Sequence, residues 1–283
     1  AQGKRLFGFI GVGGTLGAMA GSSLTMALAE LLGPINLLLI SVVLLEIGIF
    51  AVRRLSTIAS QFSDLPSTPH PENIIGGSIF SGFSHALQSS YLLGICSYMF
   101  LFAIAGTVLY FHQAEIVDKA FDDRAVRTVF FARIDWLVNL LTLGTQMFLT
   151  GRLLKVLGVA FTLILLPAVC VIGFSTLGFA PTLLVIVVFQ TLRRATNYAV
   201  ARPTRELLYT VVTRDDKFKA KAFIDTFVYR AGDQIGAWAY ALMGIIGLGM
   251  TSIAFAAVPL SAVWLGLALW LGKQQEAKAN LLR

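Results

Sequence analysis

Charge is what this chain has least of. Asp, Glu, Lys and Arg make up 13% of its 283 residues, against about a quarter in a water-soluble domain. The shortfall excludes an ordinary soluble protein and leaves long apolar runs that need a lipid or protein partner. Cysteine is nearly absent: Cys96 and Cys170 lie inside apolar runs, so packing is expected of them rather than a disulfide or metal site. Histidine is as scarce. His70 and His85 share one connecting stretch, and His112 is expected at the opposite membrane face, so they do not form one set. The patterns GxxxxGK[ST], HExxH and GxSxG are all missing. The fragment GFSHA at 82–86 lacks both the final glycine and the strand-to-helix setting of a nucleophile elbow. An ATP-hydrolysing pump and a membrane-embedded enzyme therefore lose their support. No catalytic residue, metal or cofactor is assigned.

What is present is hydrophobic: 57% of the residues, with a mean hydropathy of +0.78. Several runs reach the ~20 residues that cross a bilayer core. The expected fold is an all-α polytopic membrane protein with eight spans, at about 6–32, 35–52, 90–111, 128–150, 156–178, 181–201, 223–248 and 251–271. The net charge of +7 reads as loop Lys and Arg on the cytoplasmic side rather than nucleic-acid binding. With both termini cytoplasmic, the outer loops hold only Lys119, Arg124 and Arg127, and the inner loops collect the other basic loop residues. Residues 1–52 form two spans, 53–89 a cytoplasmic linker broken by Pro66, Pro69 and Pro71, 90–272 a six-span bundle, and 273–283 a cytoplasmic tail. Six spans after a linker is the layout of one half of a two-bundle transporter. Four further spans are then expected upstream.

Polar residues inside spans are few, and each must face a partner or water. Glu46 lies deep in the second span. Asp135, Asn139, Thr142 and Gln146 recur at +4, +7 and +11, one face of one helix; this is an interhelical seam, a cavity wall, or both. Arg193, Arg194 and Asn197 stand near the inner end of the sixth span. They either snorkel to headgroups or offer planar donors to carboxylate or phosphate. Pro203 is expected to end or kink that helix. Asp225, Tyr229, Asp233, Gly236 and Tyr240 share one face of the seventh span, with Arg230 in reach of Asp233. Substrate contact is assigned to Arg193, Arg194, Asn197, Tyr229 and Arg230. Exchangeable ion pairs or proton coupling go to Glu46, Asp135, Asp225 and Asp233, and cavity polarity to Asn139 and Gln146. Static pairing is the competing account of the charges. Gly13, Gly17 and Gly21 form a small-residue ridge for helix packing, with substrate contact as the alternative.

TGRLLKVLG at 150–158 resembles the basic loop that the major facilitator superfamily repeats between the second and third helices of each half. The run 201–234, ARPTRELLYTVVTRDDKFKAKAFIDTFVYRAGDQ, resembles a block of the bacterial ATP:ADP antiporter family of nucleotide transporters. AQGKRLFGFIGVGGTLGAMAG and YLLGICSYMFLFAIAGTVLYFHQAEIV are similar to other segments of that group. The resemblance implies a twelve-helix, major-facilitator-like secondary transporter in a bacterial inner membrane, with the first span here as the fifth helix. It implies exchange of anionic nucleotides by alternating access. Family exchangers hold phosphates with lysines inside helices, and no Lys lies deep in a span of this chain. Proton-coupled carriage of another organic anion, or a non-transporting receptor or scaffold, stays open. Lipid and an anionic solute are the expected partners, and nucleic acid is not.

Overall fold

The computed structural model describes residues 2–61 and 89–281, with side chains described except at 2–12, 59–61 and 214–218. Among the described residues the protein is helical throughout and contains no strand. Helix α1 is Gln2–Leu32, α2 Leu37–Gln61, α3 Ser90–Ala120, α4 Arg124–Phe148, α5 Thr150–Phe179 and α6 Leu183–Thr196. A π-helical turn, Asn197–Ala201, carries α6 into α7 (Arg202–Leu208), which a 3-10 turn at Tyr209–Val211 closes. Helix α8 (Arg214–Phe223) runs through a second π turn, Ile224–Val228, into α9 (Tyr229–Ile245). Helix α10 is Met250–Leu281. Among the described residues four segments are long and apolar enough to cross a membrane by length and composition: Gly13–Leu32, Ser90–Ala120, Thr150–Phe179 and Met250–Leu281. The expected linker begins as helix, since α2 continues to Gln61. The rest of the linker, with its prolines, His70 and His85, lies outside the described residues.

Residues 90–281 make six rods: α3, α4, α5, α6–α7, α8–α9 and α10. The closest pairings are third with sixth, first with fifth, third with fourth and second with fourth, followed by first with sixth. Exchanging each rod for the one three places along maps first–fifth onto second–fourth and leaves third–sixth unchanged. The bundle thus has the pairing expected of two three-helix repeats. Apolar burial holds it, around Trp264, Tyr91, Tyr98, Phe174, Leu163 and Leu166. Cys96 and Cys170 are free and buried within this core.

Glycines set the closest approaches. A Cβ on Gly272 of α10 would stand 2.2 Å from the Ala160 Cα of α5. On α9, a Cβ on Gly232 would meet Ala103 Cβ at 2.7 Å and the Phe100 carbonyl oxygen at 2.8 Å. This small-xxx-small pair with Gly236 lets α9 lie directly on α3. The ridge of α1 behaves differently: nothing stands within 4 Å of a Cβ built on Gly13, Gly17 or Gly21. Helix α1 packs on α4 instead, on the side where Ala29 is fully buried and Met19, Ser22 and Met26 are partly covered.

Two local expectations change. TGRLLKVLG is helical from Thr150, and the chain breaks only at Gly158, with φ of 72°. That left-handed conformation favours glycine. Glu276 of α10 then caps the onward segment, its Oε1 accepting from the Ala160 N–H at 3.1 Å. Nor does Pro203 end its helix. It has no N–H to give to the carbonyls four and five residues back, Ala199 and Tyr198. Those two accept from side chains of the α4–α5 junction: Thr150 Oγ1 to Ala199 at 2.8 Å and Gln146 Nε2 to Tyr198 at 3.2 Å. The π turn absorbs the missing donor, and the helix continues for seven residues as α7.

Candidate functional site

A cavity of about 470 Å3 opens between α3, the α6–α7 rod and the α8–α9 rod, within the ~300–1,000 Å3 range usual for small-molecule sites. Helix α3 supplies an apolar wall, Ile95, Met99 and Phe102. The α6–α7 rod supplies Asn197 and Tyr198 from its π turn, then Arg202, Arg205, Glu206 and Tyr209. The α8–α9 rod adds Lys221, Asp225 and Tyr229. Both π turns therefore border the cavity, and π turns re-aim side chains without ending a helix.

Three cations face two carboxylates here. Lys221 Nζ pairs with Glu206 Oε2 at 2.7 Å and lies 5.7 Å from the Tyr209 ring centroid. Although Asp225 stands close enough to feel its charge, Arg205 forms no ion pair with a carboxylate among the described residues. Its Nη1 lies 2.8 Å from Met99 Sδ, its Nη2 donates to Asn197 Oδ1 at 3.5 Å, and its guanidinium lies 4.9 Å from the Phe102 centroid. A thioether, an amide and a ring are weak partners for a guanidinium, which matches paired oxyanions far better. Arg205 is the cation best placed to receive a new anion.

Arg193 is 9% exposed and is not among the cavity-lining residues. Its guanidinium lies 5.4 Å from the same Phe102 ring and fills the space beside Gly106, where a Cβ would stand 2.6 Å from Nη2. Its Nε has no hydrogen-bond partner among the described residues. Arg194 Nη1 pairs with Asp135 Oδ1 at 2.5 Å, tying α6 to α4. Asp233 accepts from Thr107 Oγ1 at 3.1 Å, and the largely exposed Arg230 lies 3.9 Å from its other oxygen. Asn197, Asp225 and Tyr229 stand together in the cavity. Asn139 donates to its own helix at the Asp135 carbonyl, 2.8 Å away, and Gln146 holds the π turn. Glu46 is exposed on α2, whose principal contact is with α1, so it does not meet the other charges.

Arg202, Arg205, Glu206 and Lys221 belong to the cavity, and sequence reasoning gives them no substrate role. Tyr198, Arg202 and Arg205 share a helix face that runs through Pro203, and that face is the signal.

The family model described as TLC ATP/ADP transporter matches residues 125–276, just over half of the chain. A curated relative, ADP,ATP carrier protein 2 of Chlamydia pneumoniae, is 21% identical over 222 residues. That match covers 70% of this chain and 41% of the relative, so the chain spans about two-fifths of the protein it matches. No solved structure matches the chain.

Proposed function

The chain belongs to the TLC ATP/ADP transporter family, a family of membrane transporters rather than enzymes, and from that premise we propose that it exchanges an anionic nucleotide of the ATP/ADP type by alternating access. The observation that carries this reading is the 470 Å3 cavity with Arg202, Arg205 and Lys221 on its walls, set in a bundle with an apolar core. Arg205 and Lys221 take the phosphates; Asn197, Tyr198 and Tyr229 bound the rest of the solute. Arg193, Arg194 and Arg230 form the next layer of donors along the path. Asp135 and Asp233 release Arg194 and Arg230 when a phosphate arrives, and Asp225 stands among the cations of the cavity itself. Lys221 is released from Glu206 in the same way.

The repeat-like pairing of the six rods supports a major-facilitator-like bundle. That bundle is one half of a twelve-helix carrier, with α1 and α2 closing the other half. The excess of basic loop residues on one side supports cytoplasmic termini in a bacterial inner membrane. A second reading, proton-coupled carriage of another organic anion, is favoured by one observation: the cavity reads phosphate chiefly through arginine, with Lys221 already paired. Uptake of labelled ATP into ADP-loaded proteoliposomes tests the main proposal, and saturating gradients that drive no uptake overturn it. Alanine at Arg193 and Arg194 should collapse flux while membrane expression persists. Unchanged flux in both variants removes those arginines from the pathway.

A further inference from the structure

A second cavity, of about 500 Å3, opens at the far end of the same bundle, between α3, α4 and Tyr240 of α9. Tyr110, Phe111, Phe131 and Tyr240 wall it with four rings, Glu115 and Asp118 bring carboxylates to it, and Arg127, paired with Asp118, lines it too. The two cavities lie on one line. On α3, Met99 and Tyr110 are eleven residues apart, as are Phe102 and Gln113, and on α9 so are Tyr229 and Tyr240. Eleven residues is close to three full turns, which returns a side chain to the same face. Between the cavities lie the Arg193 guanidinium beside Gly106, the Thr107–Asp233 hydrogen bond and the close α3–α9 contact at Gly232.

We propose that this aromatic cavity is a second station for the same solute, one that takes its planar heteroaromatic base while the phosphates point toward the arginines. The inference rests on the nucleotide reading above. Phe111 and Tyr240 are stacked, with centroids 5.0 Å apart and planes 26° from parallel, so they present a face that a further flat ring can extend. Glu115 is fixed at the edge of that stack, its Oε2 accepting from the Tyr240 hydroxyl at 3.1 Å and its Oε1 from Lys119 at 2.8 Å. A carboxylate is an acceptor only. It suits the amino donors of a base, and the two cations beside it, Lys119 and Arg127, are engaged by Glu115 and Asp118 rather than open to phosphate. The basic cavity has the opposite preference. A nucleotide crossing the bundle is therefore held in one orientation, with its phosphates facing the basic cavity.

The test divides the nucleotide in two. Adenosine and inorganic tripolyphosphate are titrated separately, by calorimetry, against the full chain in detergent micelles. Tyr240→Leu and Glu115→Gln should each weaken adenosine at least tenfold and leave tripolyphosphate within twofold. Arg205→Gln should do the reverse. Glu115→Gln keeps the shape of the side chain, so it carries the test if Tyr240→Leu fails to fold. Adenosine binding that ignores both substitutions overturns the proposal, as does a wild-type protein that binds tetramethylammonium here and adenosine not at all. The two readings fail separately. If ATP binds through Arg205 and adenosine is indifferent to the aromatic cavity, only the second station falls; if neither ATP nor tripolyphosphate binds, the nucleotide reading falls with it.

Discussion

At the basic end of the bundle the ion pairs join residues far apart in the chain, and at the aromatic end they join near neighbours. Arg194 and Asp135 are 59 residues apart and Lys221 and Glu206 are 15 apart. Lys119 and Glu115 are 4 apart, and Arg127 and Asp118 are 9 apart. A pair within one helix survives any rigid movement of that helix. A pair between rods is made or broken whenever those rods shift. At the aromatic end Lys119–Glu115 stays within α3, and Arg127–Asp118 joins α4 to α3 across a connection of only three residues. At the basic end Arg194–Asp135 joins rods with no such short tether, which marks that end as the place where helix movement and bound charge are coupled.

The sharpest way to break that contrast is to neutralise one arginine at each end. Arg205→Gln should lower nucleotide exchange at least ~10-fold, since a hydrogen bond to a charged group is worth about 1.5–3 kcal/mol and each tenfold is ~1.4 kcal/mol. Arg127→Gln should change flux less than about twofold, because the Asp118 it pairs with is largely exposed and exposed pairs contribute ~0–1 kcal/mol. Equal losses at the two ends would erase the distinction. Next in size is Thr150→Val, which strips the Ala199 carbonyl of its buried hydroxyl partner. Leaving such a group unsatisfied costs about 1–3 kcal/mol, and a lowered thermal midpoint in detergent would record it; an unchanged midpoint would show that the turn does not depend on that contact.

Glu206→Gln should have a smaller effect and the opposite sign. It frees Lys221, and binding of tripolyphosphate should tighten roughly threefold, about 0.6 kcal/mol. Weaker binding would mean that Glu206 positions Lys221 rather than competing for it. The smallest effect belongs to Lys119→Ala. Its i,i+4 pair with Glu115 is solvent-facing, and such pairs are worth ~0.3–0.5 kcal/mol. A chemical-denaturation shift well above that would show the aromatic end to be more tightly coupled than its local pairing implies.

Much of the fold could be read from hydrophobic runs alone, because each rod is an apolar segment bounded by loops. The face of the α8–α9 rod carrying Asp225 and Tyr229 was also legible, as was the reach of the Asp135 stripe toward another helix. The basic cavity was not. From the sequence Pro203 is expected to end or kink its helix, and Arg202 and Arg205 count with the basic inner-face residues, whereas the rod continues to Leu208. A period of 3.6 cannot reveal a π turn, which adds a residue and rotates everything after it by about 100°. Two such turns flank the cavity, so side-chain directions there escaped any single helical wheel. Arg193 shows the converse limit. Its place within a span leaves snorkelling or a cavity wall open, and in the structure its guanidinium is packed beside Phe102 and Gly106.

The hydroxyl of Thr150 and the ring of Pro203 answer each other across two helices. A chain with an amide hydrogen at position 203 would have less need of a donor at 150, and a chain with proline there cannot easily do without one. The two positions are therefore coupled as an inherited unit. Among descendants of this sequence, loss of the hydroxyl at 150 should be tolerated best where proline at 203 has already gone, so the order of the two changes matters as much as the changes themselves.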